Sequence, residues 1–316
     1  MLVHFRLTVP TDLTDAVREV LLTHDCATNV TVQLGVVARP EGDLLECDAA
    51  REGAGSLLTT LKGLDLDKRG GIVLTAPTGT PFLGARELEA NTPGHPDDAV
   101  IWEAVEAKAY DGAVPTLSFL IFLVLAVVLA AIAVVTDSSV LVIGAMVVGP
   151  EFSAIGSACA GIALGRWPLV GRSLRLLVLS FAFAVVVVAV LALLASVTGM
   201  LTVEEVTRPR PNTGFIWHPD RWSFIVALVA GGAGALALAI ERSATMVGVF
   251  ISVTTVPAAG NLALGLAVWD RGEITGSLAQ LGLNIAGMIV AGTLVLMLVR
   301  ASWPSLMTAA ERMFGR

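Results

Sequence analysis

The sequence predicts an α-helical polytopic membrane protein: six spans arranged as two inverted three-helix repeats with proline-broken middle helices, preceded by an α+β ferredoxin-like soluble domain. Two observations lead there. Hydrophobic residues make up 55% of the 316 positions and charged residues only 15%, with a mean hydropathy of +0.79, outside the usual range of soluble domains. The apolar content is also concentrated: charged residues are frequent up to Asp111, whereas Pro115 to Thr136 and Leu176 to Val203 contain none.

In the polar part, Leu2 to Val9 alternates as a strand and Asp12 to Thr23 places Leu13, Val17, Val20 and Leu21 at helical spacing. A β-like run from Asn29 to Arg39, a turn at Pro40-Glu41-Gly42, a run from Asp43 to Cys47, a helix from Ser56 to Leu64 and a strand from Gly71 to Ala76 follow. The order β-α-β-β-α-β predicts a ferredoxin-like cytoplasmic domain over residues 1–79. Residues 80–114 read as a linker, rich in proline and glycine, followed by an amphipathic helix from Asp98 to Asp111. Trp102 and Tyr110 suit a lipid headgroup level, and packing on the soluble domain is an equal alternative.

Six runs have the roughly 20 apolar residues that cross a bilayer: Thr116 to Thr136, Ser139 to Leu164, Leu169 to Val197, Trp222 to Ile240, Ala244 to Val268, and Gly276 to Leu298. They place the membrane domain at 115–300 and a cytoplasmic tail at 301–316. The opening residues show no basic stretch followed by a long apolar run, so no cleavable leader is expected. Lys and Arg outside the spans favour the side of Lys108, Arg166, Arg172, Arg175, Arg242, Arg300, Arg312 and Arg316 over that of Arg208, Arg210, Arg221 and Arg271. Both termini are therefore expected in the cytoplasm. Residues Thr198 to Arg221 form the long external loop joining the halves.

Spans one to three and four to six repeat one pattern: an apolar helix, a polar turn, a broken helix and a closing helix. An odd number of spans per half inverts the second half. Aligning Pro150 with Pro257 also matches Val140 with Val247, Val142 with Val249 and Ala160 with Ala267. The ten residues from Val140 to Gly149 rise about 15 Å as a helix, which places Pro150 near the midplane. Proline removes a backbone donor, and the freed polar groups must face protein, water or a solute. The helix breaks are thus Gly149, Pro150, Pro257 and Gly260. Glu151 reads as the only carboxylate deep in a span, where a charge is expensive unless it is functional or compensated. With Ser153, Thr254, Thr255 and Asn261, and with Asn284 from the sixth span, it forms the expected substrate-binding site.

At these residues the chain resembles a prokaryotic integral membrane family known as domain of unknown function 389. The resemblance rests on Thr136-Asp137-Ser138-Ser139-Val140-Leu141-Val142-Ile143-Gly144-Ala145-Met146 with the following Pro150, and on the Val256-Pro257 break. It runs from about Ser118 to Gly265. It implies the multi-span architecture behind a small soluble domain, and location in the cytoplasmic (inner) membrane of a prokaryote. It also implies two adjacent prolines at the second break and an apolar residue after the first proline, where this chain has Ala258 and Glu151.

The expected function is a secondary transporter or channel for a small solute or ion, with the N-terminal domain as a candidate gate. The alternative is a membrane-anchored oligomeric sensor or scaffold whose N-terminal domain binds a cytoplasmic small molecule. No nucleophile with a base and no paired carboxylates occur in the spans, so no enzyme is expected. Cys26, Cys47 and Cys159, and His4, His24, His95 and His218, are scattered, which indicates neither a disulfide framework nor a zinc site, and no cofactor is expected. The net charge of -7 without a basic patch excludes nucleic acid. The lipid bilayer, a small solute or ion and further copies of the chain in a homo-oligomer are the expected partners.

Overall fold

Alternation along the first strand sets the soluble fold. In a computed structural model that describes residues 2–92, 95, 99–218, 220–240 and 255–314, the chain divides into two units, Met1–Ala104 with Ala301–Arg316, and Val105–Arg300. In the first unit the order is β1 (Leu2–Val9), α1 (Thr14–Thr23), β2 (Ala27–Ala38), β3 (Glu41–Ala50), α2 (Arg51–Gly63), α3 (Leu66–Arg69) and β4 (Gly71–Thr75). The strands form an antiparallel sheet in the order β2-β3-β1-β4, the strand order of a ferredoxin-like sandwich. Register aligns Leu74, Phe5 and Cys47 in one row and Ile72, Leu7 and Leu45 in the next. Val17 and Leu21 of α1 and Ala54, Leu57, Leu58 and Leu61 of α2 complete the core.

The stretch expected as a linker contains a helix, α4 (Leu83–Asn91). Its Ala85 is buried, and Phe82 and Leu88 pack against the core of the sheet, so three apolar side chains outweigh a composition that reads as loop. Asp43 ties the sheet together: it accepts hydrogen bonds from the Thr14 hydroxyl and from the amide of Gly35, 2.7 Å away. These two donors hold its carboxyl below the usual range.

Burial pushes the Cys26 thiol up to about 11 and the Cys47 thiol up to about 12, and both side chains are buried. The native protein at pH 8 is therefore expected to react at least tenfold more slowly with iodoacetamide at these two cysteines than the urea-unfolded chain. Peptide mapping by mass spectrometry reads the difference.

The second unit begins in α5 (Trp102–Gly112), followed by α6 (Leu117–Val135), α7 (Ser139–Val148), α8 (Glu151–Ala163), α9 (Trp167–Val197), α10 (Val203–Thr207), α11 (Arg221–Ala239), α12 (Thr255–Val268) and α13 (Arg271–Phe314). The later part of α5 packs on α8: a Cβ at Gly112 would lie 2.7 Å from Ser157 Oγ, and Glu106 pairs with Arg166 at 2.7 Å. Polar caps start the helices. Thr116, Ser138 and Asp220 accept from the amides of Phe119, Leu141 and Ser223. Left-handed glycines end α8 and α9, Gly165 at φ +73 and Gly199 at φ +75.

Among the described residues, α6, α9, α11 and α13 are long and apolar enough to cross a membrane, and α7 with α8, bent by 56°, would make a fifth crossing. Ile121, Phe122 and Leu125 of α6 and Val178, Leu179 and Val186 of α9 face outward, as lipid contact requires and water does not. Of the expected fifth span, Ala244 to Val268, only the part from Thr255 onward is described. The expected sixth span begins earlier than Gly276, at Arg271, because the Asp270 carboxylate caps the helix through the amide of Glu273. Its helix also continues through the segment expected as a tail.

Candidate functional site

The break between α7 and α8 forms where the sequence predicts it. Gly149 is extended, and Pro150 stands just before the first turn of α8, where the missing N–H leaves no helical bond unmade. Glu151 opens α8 and is buried. The hydroxyl of Thr255, in the first turn of α12, donates to Glu151 Oε1 at 2.7 Å. Among the described residues Glu151 Oε2 has no hydrogen-bond partner, although the N-terminus of α8 lends it a favourable field. Gly149 is required by this approach, since a Cβ there would fall 2.3 Å from Oε2 and 2.7 Å from Val256 Cγ2.

The other predicted residues are arranged differently from the single site expected. Ser153 is exposed and donates its hydroxyl to the carbonyl of Pro150 at 2.9 Å, so it satisfies the break and does not join Glu151. Thr254 lies outside the described residues. Pro257 falls in the first turn of α12; a half helix before it would also lie outside the described residues. Gly260 lets α12 approach α6, because a Cβ there would meet Ala130 Cβ at 2.7 Å and the amide nitrogen of Ala131 at 2.8 Å.

Asn261 is buried six residues beyond Thr255, about 9 Å along α12, in a second polar cluster that sequence reasoning did not find. Arg210 Nη1 donates to Asn261 Oδ1 at 2.7 Å, and Arg210 Nη2 donates to Glu273 Oε1. Asn261 Nδ2 donates to Glu273 Oε2 at 2.6 Å and to Ser277 Oγ at 2.8 Å. The Arg210 and Glu273 side chains are 2% and 4% exposed. Glu151 is thus not the only buried carboxylate of the unit. Below Glu273 the buried residues Ser277, Gln280 and Asn284 follow at helical spacings of four, three and four, so Asn284 belongs to this row on α13. That periodicity was the available signal. Starting the span at Gly276 placed Glu273 in a turn, and Arg210, between two prolines, read as external loop.

The segment carrying Arg210 is anchored to the turn between α6 and α7. Asp137, at φ 51, accepts from the Thr213 hydroxyl at 2.8 Å and from the amide of Asn212 at 3.2 Å. Burial raises the pKa of the Asp137 carboxyl, but these donors outweigh it and hold the group below the usual range. Arg208 Nη2 donates to the carbonyl of Val135 at 2.7 Å. Among the described residues no group of three His, Cys, Asp or Glu side chains could hold a metal ion.

Residues 146–290 match the model of a family described as a domain of unknown function, DUF389. The match covers 145 of the 316 residues. The DUF389 match begins in α7, encloses Glu151, Arg210, Asn261, Glu273 and Asn284, and ends within α13, so both polar clusters lie inside it. No curated protein and no solved structure matches the chain.

Replacing Gly260 with Leu forces a side chain into the backbone of α6. The variant in detergent is expected to be destabilised by about 1–3 kcal/mol, read as a lower Tm than that of Gly144→Leu, a position where a Cβ meets nothing within 4 Å.

Proposed function

We propose that the protein is a secondary transporter or channel for a small solute or ion, with Glu151 at its binding site. One observation carries this reading: a buried carboxylate at a helix break within an apolar bundle, with one oxygen held by Thr255 and the other free of any partner among the described residues. A helix break inside an apolar unit exposes backbone polar groups that need protein, water or solute, and ionisable groups at such breaks mark ion and proton paths. Thr255 orients the carboxylate, and Oε2 takes up a proton or a cation.

In the full reading the chain lies in the cytoplasmic membrane of a prokaryote with six spans in two inverted halves. The inverted counterpart of the α7–α8 break is the Val256-Pro257 segment at the start of α12, which contacts the Glu151 break through Thr255 and Val256. No catalytic step is invoked.

The test uses purified protein in proteoliposomes with a pH-sensitive dye and added inorganic ions. Glu151→Gln is expected to reduce solute-dependent proton or ion movement by at least tenfold and to remove its pH dependence, with the Tm close to that of the wild type. Unchanged flux and unchanged pH dependence in the variant would refute the assignment.

A further inference from the structure

Loops normally run over a protein's surface because their backbone polar groups need water. The segment between α9 and α11 instead sends Arg210 inward until its side chain is 2% exposed, with Val206, Thr213 and Ile216 buried around it. Its guanidinium meets an oxygen-rich pocket made by two helices: the Glu273 carboxylate, Asn261 Oδ1 and, one hydrogen bond further, Ser277 Oγ. Removing one partner of such a pair leaves an uncompensated buried charge, at a penalty far larger than the net gain of forming the pair. Without Arg210 the Glu273 carboxylate therefore needs another cation or a proton.

Two further features separate this pocket from an ordinary structural ion pair. Ser277, Gln280 and Asn284 continue from it down one face of α13, all nearly inaccessible. From Glu273 to Asn284 is eleven steps along the helix, about 16 Å at 1.5 Å per residue. Polar side chains buried along a span face the protein interior or a solute path and not lipid. The pocket is also closed by a segment that, among the described residues, is anchored to neighbouring elements outside the pocket by Asn212 and Thr213 on Asp137 and by Arg208 on the Val135 carbonyl.

We propose that Glu273, Asn261 and Ser277 form a binding site for a monovalent cation, inorganic or of the guanidinium type, and that the Arg210 guanidinium occupies it in this closed arrangement. The inference rests on the transport reading above for its role in a pathway, but the site itself is a matter of binding alone. Withdrawal of the segment carries Arg210 out, and a free cation takes its place at the head of the polar row. Exchange of one cation for another keeps Glu273 compensated in both arrangements. No covalent step is involved.

The experiment measures the Tm of the full-length protein in detergent against millimolar sodium, potassium or guanidinium chloride, with choline chloride as the ionic-strength control. Arg210→Gln is expected to be stabilised by at least one of the three cations at concentrations at least tenfold below any that affect the wild type. The double variant Arg210→Gln with Glu273→Gln is expected to lose that response. The ion that acts distinguishes an alkali from a guanidinium site. Arg210→Gln that folds and responds to none of them overturns the proposal.

If Arg210→Gln does not fold, Asp137→Cys with Asn212→Cys decides. Its reduced form is expected to respond to the cation and its disulfide form is not, because the link holds the segment down; equal responses overturn the proposal. Flux in proteoliposomes separates the two readings. Cation binding that depends on Glu273 without any flux refutes transport and leaves the site standing, whereas flux that is lost in Glu151→Gln but unaffected by the Asp137–Asn212 link refutes the Arg210 site alone.

Discussion

Taking Glu151, Glu273 and Arg210 out of water costs several kcal/mol per ion, and the arrangement of the apolar unit follows from how that cost is met. Glu273 is compensated almost fully: Arg210 takes one oxygen and Asn261 the other. Doing so draws a segment between two long helices into the bundle and ties it to the middle of α12 and the start of α13. Among the described residues Glu151 is compensated by half, through Thr255. α12 serves both carboxylates, with Thr255 at its start and Asn261 two turns on, and Gly260 between them sets how closely it can approach α6.

The same helix termini that complicate the backbone make these sites available. The α7–α8 break puts Pro150 where its missing donor does no harm and leaves the carbonyl of Pro150 to be satisfied by Ser153. Asp270 caps α13 and thereby brings Glu273 into its first turn, one turn before Ser277. In both clusters a short polar side chain settles the local backbone, which frees the neighbouring carboxylate to act on something else.

Much of this was legible in the residues. Alternation in Leu2 to Val9 and the helical spacing of Val17 and Leu21 reproduce strands and helices to within a few positions, since burial on one face is a local pattern. Gly149-Pro150-Glu151 marked the break and its carboxylate correctly, because proline acts on its own turn. Long-range compensation was not legible. Nothing local to Arg210 or Glu273 says that they meet across 63 positions, and the polarity that joins them made each read as solvent-exposed. α4 was hidden for a related reason: its apolar side chains are too few for a period, and only the sheet core beneath them gives them a role. Asn261 lies about 9 Å along α12 from Thr255, and its hydrogen bonds go to Arg210, Glu273 and Ser277, a distance along one helix that the sequence pattern alone did not separate.

The proposed role of Glu151 rests on the unequal compensation of the two carboxylates, and carbodiimide labelling in lipid vesicles measures it directly. Dicyclohexylcarbodiimide, an apolar reagent that attacks protonated carboxyls, is expected to modify Glu151 faster than Glu273 by at least tenfold, with labelling that increases as pH falls, read by peptide mass spectrometry. Equal labelling of the two, or a Glu151 inert at every pH while Glu273 reacts, would contradict the account.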